Sequence, residues 1–599
     1  MAMEPFNSDI YEGYNLYIHP DKFYLEPRDR EGGLLSTTYL EIDRHYNTIR
    51  LGDANVSRIP VSGADLHLIR GILGTIQLVS GMALIVIKRI KQVGSLNGHH
   101  VWSIVETEVI PYKKTLLHLT EKQIWYNRLF TDMIQTVLST GGFYFSHTLD
   151  LSRSLQWLSE NASPEFRQRS MIDRCDERFV WNRHLLSAIR SISGTARYCL
   201  PVIHGFYGQF IESINGQSFK VILVSRRSVH RAGVRFYKRG VCPDGNPANY
   251  VETEQIVELD KDAERKITAF LQLRGSIPLF WSQKPNLKWQ PIPCMKPHDD
   301  QLQAYVKHFE NQKKYYNGRH VIVSLINTHG REKRIGGELE KVSQQANLSF
   351  VRYNPFDFHK ECKAMKWDRV SILKEQLRPE ITEFGFFASS LNDHEFGRTQ
   401  SGFFRTNCMD CLDRTNVIQC MLARESLTDQ LEVLGILYPG QKVEFMEALE
   451  ASFKNLWADN GDECSKQYAG TGALKADFTR LGKRTYQGAL NDGINAITRY
   501  FRNNFADGYR QDAIDLFLGN FIVDPNNLPS TLETTLIALD QNGVALLAAL
   551  FAMAMTVLCV LVAENISATL FWLLVFIFCV MFIFLNGEEF VNVPKLKKD

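Results

Sequence analysis

The chain has 599 residues, 45% apolar and 22% charged, an ordinary balance for folded protein and long enough for more than one domain. A formal net charge of +2 gives no global basic field, which argues against nucleic-acid binding and leaves any attraction to anionic lipid to a local patch. Eleven cysteines without a repeating frame read as free thiols in a reducing compartment, not as a disulfide scaffold.

The first residues, MAMEPFNSDIYEGY, show no basic-then-apolar leader, so the soluble part is expected in the cytosol. Gly71-Ile-Leu-Gly-Thr-Ile-Gln-Leu-Val79 and Ala83-Leu-Ile-Val-Ile-Lys88 are short and β-branched, as strands are. Between Ser152 and Ile192 the apolar spacing turns helical, and a domain change is placed near residue 178. That divides the soluble part into residues 1–178 and 179–522. In the second part Lys220-Val-Ile-Leu-Val-Ser225, His320-Val-Ile-Val-Ser-Leu-Ile326 and Gly402-Phe-Phe-Arg-Thr406 read as strands, and Val417 to Arg424 as helix. Pro525, Asn526, Asn527 and Pro529 mark a tether over 523–543.

Residues 544–563 and 566–585 are two uncharged, mostly apolar runs. Each matches the roughly 20 residues that cross a hydrocarbon core about 30 Å thick. A buried hairpin is the alternative, but the second run is apolar on every side. Lys595, Lys597 and Lys598 follow it, and basic flanks favour the cytosolic side, so both termini are expected there. The sequon Asn565-Ile566-Ser567 then falls in a minimal lumenal turn and is expected to be unglycosylated. Lysines three and five places from the end resemble the dilysine signal read by the retrograde Golgi coat; a plain basic flank is the alternative. A tether of about 20 residues spans at most ~70 Å, which favours action on lipids of the same membrane.

The most informative run is Arg405-Thr-Asn-Cys-Met-Asp-Cys-Leu-Asp-Arg-Thr-Asn416. Strand, loop and helix in this order let backbone N–H groups and a helix N-terminus converge on phosphate oxygens. Arg414 suits a bidentate grip on two of them. The same field lowers the thiol pKa of Cys408, the candidate nucleophile for a phosphocysteine intermediate. Thr415 is placed to hydrogen-bond the sulfur. The proton donor for the leaving oxygen is open among Asp410, Asp413, Asp357 and His359, with Asp410 slightly favoured. Two acids beside a phosphate repel it if both are ionised, so one is expected to carry a raised pKa. Cys411 either packs the loop or pairs reversibly with Cys408 on oxidation. A zinc site from Cys408, Cys411, His359 and Cys362 is the rival chemistry, but it leaves Arg414 and the aspartates without a task.

This run resembles the signature of the Sac-domain (suppressor-of-actin) phosphoinositide phosphatases. The likeness continues through Ser225-Arg-Arg-Ser-Val-His-Arg-Ala-Gly-Val-Arg235, Asn249-Tyr-Val-Glu-Thr-Glu-Gln255 and Arg274-Gly-Ser-Ile-Pro278. It extends to Phe356-Asp-Phe-His-Lys-Glu-Cys362, Trp367-Asp-Arg369 and Tyr468-Ala-Gly-Thr-Gly-Ala-Leu-Lys475. The paired spans and lysine tail resemble its membrane-integral branch, which implies the endoplasmic reticulum membrane with cycling to the Golgi. The resemblance implies an α/β fold: a β-rich N-terminal domain packed on an α/β cysteine-phosphatase-type catalytic domain, then a two-helix transmembrane hairpin. It implies hydrolysis of phosphatidylinositol 4-phosphate, with the 3-phosphate also a substrate, and neither metal nor cofactor. Asn407, Met409, Cys411 and Leu412 are expected around the phosphate, with Asp357, His359 and Lys360 beside it. Partners are then the lipid, the retrograde coat and adaptors at membrane contact sites.

Two readings stay open for the basic residues Arg226, Arg227, Arg231, Arg235, Lys238 and Arg239. They face anionic lipid, or they form internal ion pairs with Glu252 and Glu254. Gly482-Lys-Arg484 is a second basic spot. A membrane-anchored protein tyrosine phosphatase and a catalytically silent scaffold are the competing functions.

Overall fold

The computed structural model describes residues 10–29, 31–261, 264–295, 298–363, 369–390, 394–482, 485–529, 541–562 and 566–596. Trp367, Asp368, Lys483, Arg484, most of the tether, Asn565 of the sequon, and Lys597 and Lys598 of the tail lie outside the described residues.

Five N-terminal strands, β1 (Gly13–Ile18), β2 (Lys22–Arg28), β3 (Thr38–Asp43), β4 (Ile49–Asp53) and β5 (Asp65–Ile69), form an antiparallel sheet in the order β4-β3-β2-β1-β5. Leu16, Phe23, Leu25, Leu40 and Ile42 are fully buried on its inner face. They share a core with Ile72, Leu84 and Val86 of the next sheet. Alternation along each strand sends these side chains to one face.

That next sheet is the frame of the molecule. Its strands are β6 (Gly71–Leu78), β7 (Gly81–Leu96), β8 (His99–Pro111), β9 (Phe143–Phe145), β10 (Ile203–Ile214), β11 (Gln217–Arg227), β12 (Val251–Lys261) and β13 (Glu264–Arg274). After the small pair β14 (Trp281–Ser282) and β15 (Cys294–Met295), the sheet gains β16 (Arg319–Ser324), β17 (Val351–Pro355), β18 (Phe387–Ser390) and β19 (Gly402–Asn407). The path runs β17-β16-β19-β13-β12-β11-β10-β9-β8-β7-β6, with β18 on β13. Pairing of β8, β9 and β10 carries it across residue 178. From β6 to β13 neighbours on the path are antiparallel, while β13, β19, β16 and β17 run parallel. All six residues of β19 are buried, as parallel strands covered on both faces require.

The helix after β19 spans Asp413–Val433, longer at both ends than the sequence suggested. It starts at the loop itself, and Ser426, Leu427, Gln430 and Leu431 continue its buried face. One side packs with Val321, Val323 and Phe404 of the parallel strands, the other with Val221, Leu223, Phe453 and Trp457. Core on both sides fixes where its first turn sits.

The internal reading holds for Arg226. It sits opposite Glu252 in the β11–β12 register and reaches Glu252 at 3.0 Å and Glu254 at 2.7 Å, all three side chains buried. Tyr316 Oη also donates to Glu252, and the Leu155 N–H to Glu254. Arg227 is buried too, donating to Gln467 O and Gly233 O, and Arg231 donates to Arg239 O. Physically, β-strand alternation puts Glu252 and Glu254 on one face, where a planar guanidinium satisfies both.

Two C-terminal helices, Gln541–Val562 and Ile566–Leu585, are long and apolar enough to cross a membrane over Val544–Val562 and Ile566–Leu585. Phe551 and Trp572 meet edge to face at 5.5 Å between them. Beyond the second helix the chain returns to the soluble part. Asn592 N–H donates to Asn504 O, Asn592 O accepts from Tyr237 Oη, and Asn592 Oδ1 accepts from Tyr509 N–H. Asp512 accepts the N–H groups of Lys595 and Leu596.

Removing one member of the buried triad leaves uncompensated charge, which typically costs about 3–5 kcal/mol. Arg226→Ala is therefore expected to lower the unfolding midpoint in thermal denaturation; a wild-type midpoint would show that the triad contributes nothing net.

Candidate active site

The loop 408–412 leaves the carboxyl end of β19 and turns into the Asp413–Val433 helix, beside the carboxyl ends of β16 and β17. This is where open parallel sheets bind ligands, because the chain reverses there and helix N-termini gather. Cys411 adopts a left-handed conformation, φ 54°, which folds its N–H back onto Cys408 Sγ at 2.9 Å. Thr415 Oγ1, in the first turn of the helix, donates to the same sulfur at 3.4 Å.

Cys408 is 2% exposed. Burial alone raises a thiol pKa, but hydrogen bonding from Cys411, the Arg414 charge and Thr415 outweigh it and bring Cys408 down to about 6. Cys411 goes the other way. Its burial and the adjacent Cys408 push its thiol up, and Cys411 Sγ donates to Gly275 O at 2.8 Å. The loop thus holds one anionic sulfur and one neutral thiol at neutral pH.

Arg414 takes a partner that the sequence did not offer. Its Nη1 and Nη2 reach Glu332 Oε2 and Oε1 at 3.0 and 2.9 Å, and Nη1 also donates to Leu325 O at 2.8 Å. Glu332 lies in the connection after β16, where one more acidic residue carries no sequence signal. Asp413 instead accepts the Leu474 N–H at 2.9 Å and lies 3.5 Å from Arg499.

Asp410 differs most from expectation. Burial favours its neutral form, but Arg235 and Arg239 each contact one carboxylate oxygen at 2.6 Å and hold it far below the usual carboxylate range. The expected raised pKa is not found at Asp410, because the two guanidinium groups more than repay its desolvation. Arg239 also donates to Met409 O at 2.7 Å and Gln283 Oε1 at 2.8 Å, and Tyr468 Oη to Lys238 O at 2.7 Å. The turn that carries Arg235 and Arg239 braces the loop. Its signal was present in Arg235 and Arg239, but their partner was not.

The other expected residues divide. Met409 packs among Ile277, Leu279, Trp281 and Ile322, and Leu412 among Val251, Cys464 and Tyr468. Both side chains face the core, so any contact with phosphate comes from their backbone. Asn407 is buried in β19 and donates to Ser324 Oγ at 3.3 Å. Asp357 accepts from the Thr328 N–H and hydroxyl and caps the N–H of Lys360; despite partial burial, these bonds lower its pKa. The Lys360 side chain is exposed. His359 Nδ1 lies 2.9 Å from Asn327 Oδ1, which Arg414 Nη1 also approaches at 3.4 Å. Partial burial and the Arg414 charge lower the His359 pKa.

Segments far apart in sequence therefore meet at one loop. Arg405 fastens β19 to Gly275 O and Ser276 O, Arg274 reaches Asn416, and Asn249 donates to Asp410 O. Such a site can bind a phosphate monoester and attack it through sulfur.

A SacI homology domain matches residues 70–363. The zebrafish phosphatidylinositol-3-phosphatase SAC1-A is 45% identical over 98% of this chain and 99% of its own length. The chain belongs to the SAC1 phosphoinositide phosphatases. The fly SAC1 phosphatase is 40% identical over 98% of this chain and 97% of its own, and the budding-yeast SAC1 35% over 90% and 86%. Like other SAC1 family members, the protein is a phosphatidylinositol-phosphate phosphatase.

Alkylation of Cys408 by iodoacetamide, followed on its peptide by mass spectrometry, is expected to rise with pH and level off above a midpoint near about 6. Below that midpoint the sulfur is protonated and inert. Arg414→Ala withdraws a favourable charge and is expected to move the midpoint up by roughly 1–3 units; an unmoved midpoint excludes Arg414 as a cause.

Proposed function

We propose that the protein hydrolyses phosphatidylinositol 4-phosphate, and phosphatidylinositol 3-phosphate, to phosphatidylinositol through a phosphocysteine intermediate. The observation that carries the mechanism is the Cys408 sulfur, six positions before Arg414 with five residues between them, held by the Cys411 N–H and the Thr415 hydroxyl. Cys408 Sγ attacks phosphorus in line, and the inositol oxygen departs with a proton. Water then attacks the phosphocysteine, releasing phosphate and the thiolate, with Thr415 stabilising the departing sulfur. Arg414 exchanges its Glu332 carboxylate for phosphate oxygens and stabilises the charge that grows on them. The 3-phosphate enters from the names of the zebrafish, fly and yeast relatives. The 4-phosphate rests on the sequence resemblance.

Asp410 and Asp413 are engaged by arginines, and Asp357 by three hydrogen bonds, so we assign proton donation to His359. A bound phosphate dianion opposes the Arg414 charge and favours imidazolium. With Cys408 required as the thiolate and His359 as the cation in the substrate complex, kcat is expected to rise and then fall with pH. His359→Ala is expected to cost about 10²–10⁴-fold and remove the falling limb; a limb that persists returns the role to a carboxylic acid.

The tail's hydrogen bonds to Asp512 and Asn504 support one membrane face for tail and catalytic part. We place that face in the cytosol of the endoplasmic reticulum, with cycling to the Golgi through the lysine tail and the retrograde coat, and action on lipids of the same membrane.

The test is phosphate release from each phosphoinositide isomer, with Cys408→Ser as the blank. Release from the 4- and 3-phosphates is expected, and a loss of about 10²–10³-fold in Arg414→Ala. Release from phosphotyrosyl peptides without release from phosphoinositides would establish the tyrosine phosphatase instead.

A further inference from the structure

The helix Tyr486–Phe505 is amphipathic in the wrong sense for a soluble protein. Tyr486, Leu490, Ile494, Ile497, Phe501 and Phe505 recur at spacings of three and four residues, so they share one face. All six point outward, between 50% and 90% exposed. The inward side is polar: Arg499, Asn503 and Asn504 are buried, and Arg499 donates to Thr471 Oγ1 at 2.7 Å and Ser465 Oγ at 2.8 Å. A contiguous apolar row along a helix about 30 Å long is more than soluble surfaces ordinarily expose.

A second observation says what covers it. Gly587 stands only two residues beyond the end of the second apolar helix, so at most ~7 Å of chain separates it from Leu585. A Cβ on Gly587 would lie 2.2 Å from Asn286 O, so its backbone touches that loop. The same loop is bonded to the exposed helix: Leu287 N–H donates to Asn504 Oδ1, and Tyr500 Oη donates to Leu287 O. Trp289, 60% exposed, stacks on Tyr500 at 5.4 Å. Five residues further on, Asn592 N–H bonds Asn504 O. The carboxyl end of the exposed helix is therefore held at the point where the second span leaves the membrane.

We propose that the Tyr486–Phe505 helix lies in the bilayer interface, its apolar row among the acyl chains and its polar side bearing the catalytic loop. It is an interfacial anchor of the kind whose binding scales with buried apolar area. Arg499 faces Asp413, the first residue of the loop helix, and Asp492 accepts the Lys475 N–H of the adjoining turn. Seating the helix thus sets the height and tilt of the Cys408 loop over the lipid headgroups. The proposal deepens the lipid-phosphatase reading and rests on its membrane anchorage.

The test uses the full chain reconstituted in phosphatidylcholine–phosphatidylserine vesicles that contain no phosphoinositide. An environment-sensitive fluorescent amino acid replaces Ile494 or Phe501, with the solvent-facing Arg378 as control, and spin-labelled acyl chains quench it. Quenching at 494 and 501 but not at 378 is expected. This arm needs no turnover, so it reads insertion even if the phosphatase reading fails. In the second arm, Ile494→Glu with Phe501→Glu is expected to lower turnover of long-chain substrate in vesicles at least tenfold. Turnover of a water-soluble dibutanoyl substrate is expected to stay at the wild-type rate. Probes that stay unquenched overturn the proposal. So does shielding that appears only when a soluble protein fraction is added, which assigns the face to a protein partner.

Discussion

A buried thiolate is unfavourable unless the fold supplies more stabilisation than desolvation removes. Cys408 meets that condition with a backbone N–H and a hydroxyl on a sulfur that is 2% exposed, and with the nearby charge of Arg414. Each has to be held by something else. The Cys411 N–H requires a left-handed residue, at a cost on the order of 1–3 kcal/mol, and the Gly275 carbonyl receives that residue's thiol. Thr415 requires the helix to begin where it does, with core on both sides.

Arginine is the structural material of this site. Arg235 and Arg239 neutralise Asp410, Arg405 stitches the strand to the Gly275–Ser276 turn, and Arg414 is held by Glu332. The planar fork explains the choice, since Arg239, Arg405 and Arg414 each pair with two or more acceptors at once. Asp410 shows how a residue inside the Cys408 loop serves as a counter-charge: two guanidinium groups hold it as an anion, and it in turn holds the Arg235–Arg239 turn against the loop.

The two apolar C-terminal helices are joined in the chain to the rest of the protein twice, through the residues before the first and through the tail after the second. The tail connection is far shorter, and it meets the fold at the end of the Tyr486–Phe505 helix, whose apolar row is turned to the outside. The exposed apolar row and the chain connectivity are the two observations behind the lipid-facing side proposed above.

By itself the sequence pointed to the phosphoinositide phosphatase family and to two helices apolar enough to cross a membrane. Cys408, Arg414 and Thr415 are adjacent in the chain, so their cooperation is readable from spacing, and two apolar runs are visible because a bilayer imposes a length. Strands such as β6, β11, β16 and β19 were equally legible, since burial on one or both faces leaves a local pattern. What tertiary structure decided are pairings between distant segments: Glu332 with Arg414, Arg235 and Arg239 with Asp410, Arg226 with Glu252 and Glu254. The basic cluster stayed open between a lipid-facing patch and internal ion pairs because a one-dimensional reading records charge but not its direction. The sign of an acid's pKa depends on which charges fold against it, so Asp410 passed from candidate donor to permanent carboxylate. The outward apolar row of Tyr486–Phe505 was hidden for the same reason: periodicity fixes which residues share a face, and only packing fixes which face is turned inward.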